Sequence, residues 1–385
     1  MLKKLVISGL LGCCVASTVF AAAPTLIPAP PQLAAKSWIL IDADTGKVLI
    51  EENADQQLPP ASLTKMMTSY VVSGEIHKGK LAPQDKVLVS VNAWRMGGSK
   101  TFIREGTEVA VQDLLRGVII QSGNDASVAL AEHVAGSEDG FADVMNQQAA
   151  LLGMTGSNFA NATGWPAEGH VTTARDLSLL ARALINDYPE HYQFYAEKYY
   201  EYNGIRQPNR NLLLWRDKTV DGIKTGHTEE AGYCLVSSAL RNGMRLVAVV
   251  MGTTSEEARA SESQKLLSYG FRYYETAKVY AANDVIQEKV RVWYGKEESV
   301  NLVVPSDVFL TIPRGSREQL VATIHVDKVI KAPLTTATEL GRLKVEYEGE
   351  TLLDQPLVAD HEIARGGFFA RIWDGIKLFF LNLFT

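Results

Sequence analysis

Cysteine is nearly absent from this 385-residue chain: there are three, and two of them, Cys13 and Cys14, stand close to the start. Cys234 alone has no partner for an internal disulfide, so no disulfide framework is expected to hold the fold. It lies in the apolar run Tyr233-Cys234-Leu235-Val236 and reads as a buried structural thiol. Positive charge is also short, with 38 basic against 44 acidic residues and a formal charge of −6, which excludes the footprint of a nucleic-acid binder. Seven histidines include no HExxH and no paired ligand set, so no zinc peptidase, metal or cofactor is expected. No apolar run reaches the ~20 residues a membrane-spanning helix needs. There is no internal repeat.

What remains is ordinary globular material, 46% hydrophobic and 21% charged, enough for two or three domains with a large core. The first residues carry Lys3 and Lys4, then an apolar stretch over 5–20, then Ala21-Ala22-Ala23 before Pro24. That is the pattern of a secretory signal peptide over 1–21, cleaved after Ala21 or Ala22. An N-terminal membrane helix or a lipoprotein box at Cys13 are the alternatives. Loss of two lysines leaves 36 basic against 44 acidic residues, −8.

A proline-rich leader over 24–31 precedes two strand-like runs that flank the turn Asp44-Thr45-Gly46. A helix pattern starts near Ser62, and helical periodicity recurs at 111–120, 126–134, 140–152 and 173–185. Strands return at 232–240 and 244–252 around Arg241-Asn242-Gly243, then a helix over about 255–276. Strands, helices, strands, helix fit an α+β domain over 34–284, an antiparallel sheet made from both ends of the segment with a helical insert. Past 285 the alternation in 289–293, 320–326 and 343–347 predicts a small all-β domain to 365.

The last stretch, 366–385, places Phe368, Phe369, Ile372, Trp373, Ile376, Phe379, Phe380, Leu383 and Phe384 at three- and four-residue intervals, broken by Arg371, Asp374 and Lys377. One apolar face interrupted by charge predicts an amphipathic helix lying on a membrane surface rather than crossing it. A helix docked on the β domain, or a dimer interface, is the alternative.

Three motifs carry chemistry. In Ser62-Leu63-Thr64-Lys65 the first and last residues share a helix face, so the hydroxyl and the amine can touch. Serine is a poor nucleophile until a base takes its proton. Ser122-Gly123-Asn124 falls between two helical patterns, where a break points a hydroxyl and an amide outward, although these are also plain turn residues. Lys224-Thr225-Gly226 precedes the strand at 232–240; a lysine on an inner strand needs an anionic partner, which a substrate carboxylate supplies, whereas on an edge strand it would be a solvated lysine. Glycine there permits close backbone approach.

The order SxxK, SxN, KTG, spaced by 60 and 102 residues, is the signature of penicillin-binding proteins and class A β-lactamases. The chain resembles the low-molecular-mass D-alanyl-D-alanine carboxypeptidases of the penicillin-binding protein 5/6 type. The likeness rests on Pro60-Ala61-Ser62-Leu63-Thr64-Lys65-Met66-Met67, Gln121-Ser122-Gly123-Asn124-Asp125-Ala126, Thr173-Ala174-Arg175-Asp176-Leu177 and Asp221-Gly222-Ile223-Lys224-Thr225-Gly226-His227-Thr228. It implies a serine β-lactamase/transpeptidase-like domain followed by the β domain and the terminal helix. It also implies a serine D,D-carboxypeptidase that releases the terminal D-alanine of peptidoglycan stem peptides and is trapped by β-lactams. By that likeness Ser62 is acylated, Lys65 is its base and Ser122 relays the proton. Asn124 binds the substrate amide, Lys224 and Thr225 meet the carboxylate, Gly226 lets the ligand backbone approach, and His227 with Ser62 lends backbone N–H groups to the oxyanion. Two lysines in one cleft depress each other, so Lys65 is expected neutral and Lys224 charged. The interval between Asn209-Arg210-Asn211 and Lys224 departs from the family pattern, which leaves open whether Arg210 sets the charge near Lys224. The implied location is the periplasmic face of the bacterial cytoplasmic membrane. A D,D-endopeptidase or a weak β-lactamase uses the same scaffold, but the glutamate loop of a class A β-lactamase is not recognisable before Lys224.

Overall fold

The structure, a computed structural model, describes residues 27–384; the expected signal peptide over 1–21 lies outside them. The chain enters the central sheet as a hairpin, β1 (Ser37–Asp42) and β2 (Val48–Glu52). The Asp42 carboxylate accepts the N–H groups of Asp44 and Thr45, which closes the turn read from the sequence. A helical layer follows, with α1 (Thr64–His77), α2 (Val111–Arg116), α3 (Asn124–Ala135), α4 (Glu138–Leu151) and α5 (Ala174–Asp187). The chain then returns to the sheet as β3 (Val220–Thr228), β4 (Gly232–Arg241) and β5 (Met244–Thr253), and closes with α6 (Glu256–Tyr273). Strand order is β2-β1-β5-β4-β3, antiparallel throughout.

Both faces of this sheet are covered, which is why its strands read as nearly continuous apolar runs. Ile39, Ile41, Val247 and Val249 face the helical layer, whereas Trp38, Leu40, Leu246 and Ala248 face α6. Helix α1 is buried on every side from Thr64 to Gly74, so its hydroxyls need partners inside the protein. They have them: Thr64 bonds His170, Thr68 donates to the Ala162 carbonyl, and Ser69 meets the Tyr195 hydroxyl. The polar residues of this helix are therefore interior fittings rather than a solvent face.

Two elements differ from expectation. The helix expected over 111–120 keeps α geometry only to Arg116, widens into a π-helical turn over Gly117–Gln121, and ends at Ser122 in the left-handed region, φ 64°. Such wide turns interrupt helices where a side chain must be re-aimed. The Lys224 strand, expected inside the sheet, is its edge strand. Its open side is covered by the turn that carries Ser62 and by the short helix Gln193–Ala196, so Lys224 is only 3% exposed. The bland consequence of an edge position, a solvated lysine, does not follow.

Residues 274–284 were expected to finish the catalytic domain. Instead β6 (Tyr274–Tyr280) leaves α6 directly and pairs with β9 (Val308–Pro313) of the β-rich part, so the change of core comes at Tyr274. The other strands are β7 (Val285–Trp293), β8 (Ser299–Val303), β10 (Val321–Val326), β11 (Ile330–Lys331), β12 (Glu339–Tyr347) and β13 (Glu350–Ala359). They form one sheet in the order β10-β12-β13-β8-β7-β11 around a separate core that includes Leu302, Ile312, Leu343 and Leu357. This part is stitched to the first hairpin, where Thr276 donates to Asp42 and the Thr45 and Thr311 hydroxyls meet at 2.5 Å.

The chain ends in α7 (Phe368–Phe384). Asp374 ties it to the β domain by accepting the Tyr294 N–H at 2.8 Å, and Leu378 is buried. Yet Phe368, Phe369, Trp373, Phe379, Phe380 and Leu383 are all more than half exposed. No helix among the described residues is long and apolar enough to cross a membrane.

Candidate active site

Ser62 stands on the 3-10 turn Ala61–Leu63 that leads into α1, and Lys65 follows one turn later. The Lys65 side chain is 1% exposed, with Nζ 3.2 Å from Ser62 Oγ, 2.7 Å from Asn124 Oδ1 and 2.5 Å from the Thr163 carbonyl. A neutral amine has two protons and one lone pair. Asn124 and Thr163 accept the two protons, and the lone pair is left facing the Ser62 hydroxyl. Burial, followed by the charge of Arg210, pushes the Lys65 ammonium down to about 7; Asp125 and Glu138 act in the opposite sense. Among the described residues no carboxylate hydrogen-bonds Ser62 or Lys65.

Ser122 is 2% exposed, and the left-handed residue at the end of the π turn brings its Oγ to 3.0 Å from Lys224 Nζ. Lys224 also donates to the Thr225 carbonyl at 3.0 Å. Burial above all, then Lys65, Arg210 and Arg259, hold the Lys224 ammonium well below the ordinary lysine value. The expectation of a charged Lys224 therefore needs an anion beside it. Thr225 is buried next to it, and His227 is exposed with its ring stacked on Tyr233 at 4.0 Å. A cavity of about 620 Å³ opens above Ser62, Asn124 and His227, with Trp165 and Pro166 on its far wall.

Two glycines let other segments press on the Ser62 turn. A Cβ on Gly226 would lie 3.1 Å from the Pro60 carbonyl oxygen, and one on Gly164 only 1.8 Å from that of Ala61. Gly164 also has φ +82°, and Ala61 beside Ser62 has φ 48°. A non-glycine residue held there, like Ser122, costs of order 1–3 kcal/mol and persists only where packing enforces it.

The structure brings Ser62, Lys65, Ser122, Asn124, Lys224, Thr225, Gly226 and His227 to one crevice. It adds groups that motif reading missed. Asn161 Oδ1 accepts the N–H groups of Thr163, Gly164 and Trp165, folding the loop that aims the Thr163 carbonyl at Lys65. The Asp125 carboxylate takes the N–H groups of Thr101, Phe102 and Ile103 and fixes the opposite wall. The signal for the first was present in Asn161-Ala162-Thr163-Gly164, a turn-forming string. Arg210 has a part here, because its charge depresses both lysines. Cys234 is buried, and burial pushes its thiol up to about 11, as a structural cysteine requires.

Fold and cluster together define a serine peptidase of the penicillin-binding class. The family profile described as D-alanyl-D-alanine carboxypeptidase matches residues 25–255, and that described as penicillin-binding protein 5, C-terminal domain, matches residues 274–365. The chain belongs to the D-alanyl-D-alanine carboxypeptidase family. D-alanyl-D-alanine carboxypeptidase DacA of Escherichia coli (strain K12) is 44% identical over 368 residues, 94% of this chain and 91% of that protein. The crystal structure of penicillin binding protein 5 from Haemophilus influenzae superposes with a TM-score of 0.83 at 41% identity, covering 88% of this chain and all of that one. Penicillin-binding protein D2 from Listeria monocytogenes, in its ampicillin-bound form, matches with a TM-score of 0.59 at 31% identity over 63% of this chain and all of its own.

Gly164→Ala forces a methyl group into the Ala61 carbonyl at a left-handed position. It is expected to destabilise the protein by about 2 kcal/mol or more in urea unfolding. The residual folded fraction should also acylate more slowly with a fluorescent penicillin.

Proposed function

We propose that this carboxypeptidase works through an acyl-enzyme on Ser62. Ser62 Oγ attacks the carbonyl carbon of the penultimate D-alanine while its proton passes to the neutral Lys65 amine. The backbone N–H groups of Ser62 and His227 hold the developing oxyanion. Collapse of the tetrahedral intermediate breaks the C–N bond, and Ser122, bonded to Lys224, relays a proton to the leaving D-alanine amine. Water then hydrolyses the ester, with Lys65 again as base. Asn124 receives the substrate amide, and Lys224 and Thr225 meet the terminal carboxylate beside the flat surface of Gly226. The observation that carries this reading is the Lys65 amine, whose two protons are already engaged so that its lone pair faces Ser62. β-Lactams, which present a strained amide and a carboxylate at the same spacing, acylate the same oxygen. Among the described residues no carboxylate bonds Ser62 or Lys65, which favours a slow-deacylating peptidase over a β-lactamase.

The same proposal includes location. An exported chain working on peptidoglycan is held at the outer face of the cytoplasmic membrane by the exposed aromatic face of α7, which lies in the interface plane. Asp374 and Leu378 keep the helix on the β domain while that face enters the lipid.

Ser62→Ala is expected to abolish both covalent labelling by a fluorescent penicillin and release of D-alanine from a pentapeptide; labelling that survives would refute the assignment. A general base works only when neutral, so with Lys65 near 7 the acylation rate should rise through neutrality. Below that point it should fall about tenfold per pH unit. Arg210→Gln, which removes a charge that depresses Lys65, should move this limb to higher pH in stopped-flow acylation. Truncation after Gly366 should give an enzyme that stays in the supernatant after membrane sedimentation and keeps its activity.

A further inference from the structure

The junction of α7 with the β domain encloses a second kind of chemistry. A cavity of about 470 Å³ lies there, and three cations line it: Lys331 on β11, Arg365 just before the helix, and Arg371 one turn into it. Among the described residues no acidic one lines it. Among the described residues none of the three cations has an ion-pair partner, in a chain whose formal charge is −6. The nearby Asp374 is already engaged by the Tyr294 N–H and by Arg291 at 3.5 Å. The cationic cluster is thus left without an anion, and two of its members carry guanidinium forks suited to phosphate oxygens.

The helix makes the same demand independently. Its first turn has no acidic residue, and Arg371 stands near the positive end of its dipole, the unfavourable sign. An anion in the cavity corrects both faults at once. The position then decides what kind of anion it is. At 100° per residue the exposed apolar residues of α7 other than Leu381 span an arc of roughly 140°. Asp374 and Leu378 point to the β domain, and the cavity lies on the flank between the two, walled by Phe368 and Ile372 at the edge of the apolar arc. With that arc buried in acyl chains, this flank stands at the depth of lipid phosphates.

We infer that Lys331, Arg365 and Arg371 form a binding site for the phosphate headgroup of an anionic phospholipid, built jointly by the β domain and the anchor helix. This rests on the membrane-surface reading of α7 and adds a lipid preference to it. The site also fixes the orientation of the β domain on the bilayer, because Lys331 belongs to the domain and not to the helix.

The test uses the full chain in vesicle co-sedimentation, with phosphatidylcholine alone and with an equal mixture of phosphatidylcholine and phosphatidylglycerol. The protein should bind the mixed vesicles more tightly. Lys331→Gln and Arg365→Gln leave α7 unaltered and should each lower that preference about fivefold. Neither should reduce binding to phosphatidylcholine or penicillin labelling. Lys289→Gln, a cation of the same domain outside the cavity, should leave the preference in place. Equal binding to both vesicles, or equal losses in the Lys289 and Lys331 variants, overturns the site while the anchor stands. Binding to neither vesicle overturns the anchor itself. Loss of the preference when millimolar inorganic phosphate is added at constant ionic strength overturns the lipid as ligand in favour of a free phosphate.

Discussion

Everything at this site depends on keeping one amine dry. Lys65 is 1% exposed, in a helix buried on all sides, and removing a lysine from water favours its neutral form. Burial alone would leave a neutral amine pointing anywhere. Asn124 and the Thr163 carbonyl turn it into a directed one, because each takes a proton and the lone pair has a single place left to go. The rest of the catalytic domain serves those acceptors: the Asn161 cradle sets the Thr163 carbonyl, and α3 starts at Asn124 straight after the break at Ser122.

The strained residues sit where this geometry is assembled. Ala61 and Ser122 both hold left-handed backbones, one beside Ser62 and the other within hydrogen-bond reach of Lys224. Neither would keep that conformation in an isolated peptide. The doubly covered sheet, with apolar side chains on both faces, supplies the rigidity that holds them. Gly164 and Gly226 then let two further segments close on the Ser62 turn without a Cβ in the way.

Much of this was legible in the chain. The Ser62–Lys65 pair is a local contact set by helical spacing, and the hairpin, the sheet strands and α6 follow from period and turn residues. The convergence of Ser122 and Lys224 was legible only through the order of motifs shared with the family, because their separation of 102 residues carries no local signal. What stayed hidden was hidden for physical reasons. A π turn has the same composition as the helix it interrupts, so 117–121 looked like more of α2. An edge strand whose open side is covered by a turn and a short helix reads like an interior one in the sequence, and Lys224 lies on such a strand. The strand after α6 alternates in the same way whichever core it joins; only its pairing with β9 assigns it to the β domain. The Thr163 carbonyl is a backbone group, and no side chain announces it.

The cations around the cleft form one coupled system. Lys65, Arg210 and Arg259 all depress Lys224, and Arg210 also depresses Lys65. With no carboxylate among the described residues bonded to either lysine, protonating one raises the cost of protonating the other. In the proposed reaction the substrate carboxylate arrives beside Lys224 and stabilises its ammonium. That charge in turn opposes protonation of Lys65 and keeps its lone pair available for the Ser62 proton. Substrate lacking the carboxylate would leave Lys224 inclined to neutrality and remove this bias. In that proposed reaction the dry, cation-rich cleft links recognition of the substrate terminus to the readiness of the base through electrostatics.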